Sequence, residues 1–273
     1  MNTALLRAAS TECIILRDHL DPARDTCLFV THSAECRVKP HVAYHVGALL
    51  TAGFQVVLVC NTDDLSAATQ LGTFPGPSVL VARRNEGFDF GAWADLLRMF
   101  PALWDCPRLL LVNDSIIGPG GGGTSLFPRL LAVEADLVGL VESYEFRRHL
   151  QSYFLLLNRK ALDSAQVRAF WQKVINYRNK IEVIRRYELT FTDICVKAGL
   201  KTRALMQQNV LSKTIDRQNI MIRRWRDVLR AGLPYVKIET IRSITSLAEL
   251  AELRTLIGDP ALYPIIDSYI RKV

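Results

Sequence analysis

The sequence predicts an α/β protein: a mostly parallel sheet flanked by helices, followed by a helical C-terminal extension. Three observations carry this reading. Short aliphatic, β-rich runs alternate with amphipathic stretches, as in sheets covered on both faces. Polar, turn-forming residues follow several of those runs directly. From Ser164 onward the apolar spacing is mostly helical.

The first predicted strand spans 27–31, and an amphipathic segment over 41–52 follows it, closed by Gly53 as C-cap. A second strand at 54–60 completes a βαβ unit. After a Pro/Gly-rich loop at 72–77, a third strand at 78–83 leads into a glycine-interrupted turn and a helix reaching about Phe100. A fourth, 108–112, ends at Asn113, and 137–141 and 152–157 read as two more. Further strands are expected near 200–206 and 235–238. This divides the chain into an N-terminal segment 1–26, a core 27–212 and a helical extension 213–273 packed on the core.

Composition narrows the function classes. With 273 residues, 49% hydrophobic and 22% charged, the chain reads as globular, neither disordered nor fibrous. Its 34 Lys+Arg against 27 Asp+Glu give a net charge of +7, which favours acidic partners such as nucleotides, phosphorylated substrates or anionic lipid. The six cysteines include no CxxC pair, so buried thiols in a reducing compartment are expected. The first twenty residues are interrupted by Arg7, Glu12, Arg17 and Asp18, unlike a signal peptide. No window reaches the roughly 18 apolar residues of a membrane span. The expectation is a cytoplasmic protein.

In an open α/β sheet the ligand lies outside the carboxyl ends of the strands, which selects the candidate residues. His32 follows the first strand. Asn85, Gly87, Asp89 and Gly91 follow the third, where glycines let backbone approach a ligand and a helix N-terminus favours phosphate. The competing reading is a tight turn capped by Asp89. Asn113, Asp114 and Ser115 end the fourth, placing a carboxylate where it coordinates a divalent cation or binds a ribose, unless the three merely form an Asx-turn. The Gly120 to Gly123 run reads as a flexible loop or lid rather than a phosphate cradle, since no Lys-Ser/Thr follows it. Glu142 and His149 flank a turn between two strands, as an acid/base pair or as structure. The basic stretch 213–230 admits a helix packed on the sheet, an anionic-membrane surface or a nucleic-acid patch; no nucleic-acid motif supports the last.

Four motifs in order, RNEGFDFGAW at 84–93, NDSIIGP at 113–119, HLQSYF at 149–154 and GLPYVK at 232–237, resemble the rhamnan synthesis protein F family of bacterial polysaccharide glycosyltransferases. The match runs from about residue 27 to 240. The resemblance implies a GT-A-like, Rossmann-like core that moves a sugar, typically L-rhamnose from dTDP-rhamnose, onto a glycan or lipid-linked glycan acceptor. Asn113, Asp114 and Ser115 stand where such enzymes carry a DxD motif, but only Asp114 is acidic. That leaves open whether Asp114 holds Mg²⁺ or Mn²⁺, or whether Lys and Arg neutralise the diphosphate instead. Related transferases place their base at a helix start about eleven residues before a glycine that precedes a short strand. Glu188 and Gly199 reproduce that spacing, so Glu188 is the expected base and Glu142 the reserve. The competing class is a non-catalytic nucleotide-sugar or glycan-binding subunit.

Overall fold

The computed structural model describes residues 11–208 and 215–270. The chain opens with β1 (Cys13–Asp18) and β2 (Thr26–His32), then α1 (Pro40–Thr51), β3 (Gln55–Thr62), α2 (Ala68–Gly72), β4 (Val79–Arg84) and α3 (Phe88–Met99). It continues through β5 (Arg108–Asn113), β6 (Ile116–Ile117), α4 (Leu126–Leu131), β7 (Leu137–Ser143), β8 (His149–Leu150) and β9 (Phe154–Asn158). Helices α5 (Arg159–Asp163), α6 (Ala165–Gln172), α7 (Lys180–Val183) and α8 (Leu189–Lys197) lead to β10 (Thr202–Met206). Beyond it lie α9 (Ile220–Arg223), α10 (Trp225–Arg230), β11 (Val236–Lys237), α11 (Ile238–Arg242), α12 (Leu247–Ile257) and α13 (Tyr263–Asp267).

The central sheet runs in the order β1-β4-β3-β2-β5-β9-β7-β10, with β8 paired to β7. Strands β4, β3, β2 and β5 are mutually parallel, as are β7 and β10, while β1 and β9 run antiparallel to their neighbours. This is the mostly parallel, helix-covered sheet that the apolar runs predict. Period-2 alternation explains its double burial. Cys27 and Phe29 of β2, Leu58 of β3 and Leu110 of β5 face the core under α1 and α4. Leu28, Val57 and Leu111 face the opposite core under α3, α6 and α8. The chain leaves β2 outward through β3 and β4 and returns on the other side as β5. The strand order therefore reverses between β2 and β5, where Val30 pairs with Asn113.

Strand β1 was not foreseen. It lies in the segment 1–26 and forms the sheet edge; its short apolar run of 13–16 is cut off by Arg17 and Asp18 and is only partly buried. The expected helix over 41–52 lies at Pro40–Thr51, with Pro40 in the first turn. The expected boundary at 212/213 and Lys213 lie outside the described residues. Within 215–230 the basic stretch forms two short helices. Ile220, Met221, Trp225 and Leu229 are buried, while Arg226 and Arg230 pair with Glu249 and Glu252 at 2.7–3.0 Å. Gly120 to Gly123 is not a free loop. Gly121 N–H donates to Asp259 Oδ2 at 2.8 Å, and a Cβ on Gly120 would lie 2.5 Å from the Ile257 carbonyl oxygen. All six cysteines are free thiols, five of them buried. Among the described residues no helix is long and apolar enough to cross a membrane.

A buried charge fastens the turn between β4 and α3. Arg83 is 0% exposed and forms an ion pair with Asp95 at 2.6 Å. Breaking a buried pair from one side strands the other charge. Arg83→Met should therefore lower the unfolding free energy by about 3–5 kcal/mol in urea titrations, and a loss well below that would mean the pair does not hold the turn.

Candidate active site

A cavity of about 1100 Å³ opens at the carboxyl edge of the sheet where the strand order reverses. That is at or above the upper end for small-molecule sites. Three groups of residues converge on it: the ends of β2 and β5, the first turn of α3, and elements from the second half of the chain.

Asp114 sits in the turn leaving β5. Its Oδ2 accepts hydrogen bonds from the Thr31 hydroxyl at 2.7 Å, the His32 backbone N–H at 3.2 Å and the Lys39 ammonium at 2.9 Å. Burial alone would raise this carboxyl, but Lys39 and the two hydrogen bonds hold it below the usual carboxylate range. Its backbone carbonyl meets His41 Nε2 at 3.0 Å, and His41 Nδ1 meets the Tyr269 hydroxyl at 2.8 Å. Asn113 Nδ2 donates to Asp89 Oδ2 at 2.7 Å. The Ser115 hydroxyl and N–H both turn back onto Asn113 Oδ1, at 2.6 and 3.1 Å. The Asx-turn and the clustering of polar groups thus coexist.

Asp89 is not the N-cap of α3. That position belongs to Gly87 (φ 70°), and Phe88 follows at φ 55°, so two successive left-handed residues swing Asp89 inward in the first turn. Burial lifts its carboxyl to about 7, the Asp114 carboxylate adds to the rise, and the Asn113 hydrogen bond opposes it. Two carboxylates at one site are thereby driven apart in acidity. Gly87 and Gly91 do not border the cavity. A Cβ on either would lie 2.0–2.1 Å from Asn176 Oδ1, so these glycines make room for Asn176 rather than for a ligand. Asn85 also lies outside the cavity, exposed, its amide donating to Asp63 Oδ1 at 3.2 Å.

Across the cavity stands Glu188. As the sequence predicts, it stands at the opening of a helix, immediately before α8, and it also closes a π-helical turn, Ile184–Glu188, between α7 and α8. Such a turn carries one extra residue and resets which faces the following side chains take. Tyr187 packs into the core while Glu188 lines the cavity, its Oε1 accepting the Ser152 N–H at 3.4 Å. His149 also lines the cavity, buried, with Nδ1 2.9 Å from the Arg147 carbonyl oxygen. His32 sits exposed at the rim, its Nε2 3.8 Å from Asp63. Glu142 does not reach the cavity: it pairs with Arg148 at 3.1 Å and accepts the Gln208 N–H at 3.2 Å.

Several lining residues were missed. Lys39 enters just before α1, with no sequence signal beyond its place after the first strand; His41, which does not line the cavity, meets the Asp114 carbonyl from the start of α1. Gln151 and Tyr153 lie in HLQSYF and Lys237 in GLPYVK, motifs whose order was noted but whose side chains were not assigned. Lys180 and Arg242 complete the basic part of the wall.

The family described as rhamnan synthesis protein F matches residues 56–265. The uncharacterized protein y4gN of Sinorhizobium fredii is 28% identical over 187 residues, covering 66% of this chain and 48% of that protein. Virulence protein VirA of Vibrio anguillarum is 25% identical over 194 residues, covering 60% of this chain and 62% of that protein. The chain thus spans about half to three fifths of these relatives' length. Among solved structures, a Desulfovibrio desulfuricans G20 protein described as a nucleotide-diphospho-sugar transferase gives a TM-score of 0.40 at 13% identity, covering 92% of this chain and 100% of that one. The Streptococcus pneumoniae TIGR4 glycosyltransferase GlyE gives 0.39 at 14% identity, covering 89% and 63%.

The acidity of Asp89 sets a test. An unfolded aspartate titrates near 3.9, so between about pH 4 and 7 the folded chain holds a proton that the unfolded chain has lost. This contribution is largest below pH 4 and fades as pH rises through 7. Asp89→Asn should raise stability at pH 8 by about 1–3 kcal/mol, with the gain vanishing near pH 4 in thermal melts. Parallel pH profiles for the two proteins would rule out a raised Asp89.

Proposed function

Since the chain belongs to the rhamnan synthesis protein F family, we propose that it is a glycosyltransferase that binds a nucleotide-sugar donor in the cavity at the β2/β5 edge. One observation carries the reading: a single cavity gathers Asp89, Asn113, Asp114 and Ser115 on one wall and Glu188 on another. The donor's ribose and diphosphate would lie along the first wall and the reacting sugar between the two.

In the proposed reaction Glu188 takes the proton of an acceptor hydroxyl. That oxygen forms a bond to the anomeric carbon as the bond from that carbon to the diphosphate oxygen breaks, with inversion. The electron pair leaves with the nucleoside diphosphate. As the sugar gains oxocarbenium character, groups fixed beforehand around the departing oxygens stabilise the charge that develops there. Asn113 and Asp89, tied to one another, orient donor hydroxyls. Asp114, held by Lys39, keeps the ends of β2 and β5 in register beneath them. His149 contributes to the acceptor side.

Because the family's description names rhamnan synthesis, we propose L-rhamnose as the sugar, with dTDP-L-rhamnose as the donor and a glycan or lipid-linked glycan as the acceptor. Incubating the chain with dTDP-rhamnose and a rhamnan-type acceptor oligosaccharide should release dTDP. Glu188→Gln should cut turnover by about 10²–10⁴-fold while leaving donor affinity intact. Near-normal turnover in that variant removes Glu188 as the base; donor affinity without turnover in the unmodified chain supports a binding subunit instead.

A further inference from the structure

The cavity lining holds a cation, Lys237, for which the described residues supply no ion pair. Lys237 lies in β11, whose pairing with β6 places it level with Ile116, and the adjoining Ile238 N–H donates to the Ser115 carbonyl at 3.0 Å. This ladder sets the ammonium beside the turn that carries Asn113, Asp114 and Ser115. Its ammonium stands over the face of Tyr153, 5.1 Å from the ring centroid, and among the described residues it forms no ion pair. Burial lowers its pKa below the usual lysine range, and Glu188, Glu239 and Glu145 do not restore it.

Two further groups in the same wall await a partner. The Tyr153 hydroxyl and Gln151 Oε1 are buried without a hydrogen bond, on side chains 3% and 2% exposed. Buried polar atoms left unpaired are costly, and a cavity lined by them and by an unpaired cation has the chemistry to take a hydroxylated anion. The acidic turn is already occupied: Asp114 Oδ2 holds Lys39, and Ser115 is folded back on Asn113. Among the described residues no group of three or more His, Cys, Asp and Glu side chains is placed to hold a metal ion. The residues here do not fit a divalent cation.

We propose that Lys237 neutralises the donor diphosphate in the position where a metal ion stands in DxD transferases, with the Tyr153 hydroxyl as an accompanying hydrogen-bond donor. This rests on the glycosyltransferase reading above. As the sugar bond breaks, negative charge collects on diphosphate oxygens within reach of the ammonium, so Lys237 acts on leaving-group departure as well as on binding. Lys180 and Arg242, on the same wall, extend the positive field toward solvent.

Isothermal titration calorimetry of the full chain in EDTA tests this with dTDP, UDP and GDP and with thymidine, uridine and guanosine. One diphosphate should bind without added metal, and Mg²⁺ or Mn²⁺ should not tighten it. Lys237→Met should weaken that diphosphate about ten- to a hundredfold and leave the matching nucleoside unaffected, while Lys237→Arg recovers most of the loss. Removing a partly buried cation that forms no ion pair among the described residues should leave the melting temperature equal or higher, so the Met variant separates charge from folding. Undiminished diphosphate binding in Lys237→Met, an equal loss for the nucleoside, or a strict need for Mg²⁺ or Mn²⁺ overturns the proposal alone. If none of the three diphosphates binds the unmodified chain, the glycosyltransferase reading fails and this inference with it.

Discussion

Arg83 is sealed from water, and each of its N–H groups must be met by protein because nothing else can reach it. Its Nε and one Nη2 bond go to Asp95, the other Nη2 bond to Thr11, and Nη1 to Asn61 and to the backbone oxygens of Arg84 and Glu86. One guanidinium thereby joins the end of β3, the turn after β4 and the middle of α3. Asp95 is shared further, with Arg98 at 2.8 Å and Asn176 at 3.2 Å. Asn176 in turn fills the space that Gly87 and Gly91 leave open. The strained turn at Gly87 and Phe88 is held by this network, and the direction of Asp89 follows from it. The cavity's floor is thus set by an interaction outside the cavity.

The sheet was legible because parallel strands buried on both faces must read as aliphatic runs: β2 and β3 carry no Lys, Arg, Asp or Glu, and β4 and β5 carry arginine only at their ends. Asn113 and Asp114 were expected at the site because they directly follow such a run, at the carboxyl end of a strand; the reversal of strand order beside them is not written in the runs. The glycines were misread for a physical reason. A Gly-x-x-x-Gly spacing at a helix start reports close approach of something, and sequence cannot say whether that is a ligand or, as here, an asparagine far along the chain. Glu188 was found by its distance from Gly199, but the π-helical turn that aims it has no sequence signature. Lys39, His41 and Lys237 were invisible as site residues because tertiary folding alone brings them to the turn after β5.

The net charge of +7 is a poor guide to where charge acts. Arg226 and Arg230 are absorbed by Glu249 and Glu252, and surface pairs of this kind contribute little individually. Inside the cavity the balance differs. Asp89 and Asp114 have opposite displacements in acidity, and of the cations lining the cavity Lys39 is tied to a carboxylate whereas Lys237 forms no ion pair among the described residues. A low-dielectric pocket amplifies such imbalances, so a few buried groups matter more than the sum over the surface.

The ladder between β6 and β11 is only two residues long, and it closes one of the widest loops in the described topology. Pairing across that distance gains few hydrogen bonds against a large loss of chain freedom, so it stands only because the apolar cluster around Ile117, Trp225, Val236 and Leu253 forms with it. Ribosomal synthesis delivers the parallel strands before this closing segment. A growing chain therefore possesses its sheet well before it possesses a pocket of the final shape and charge.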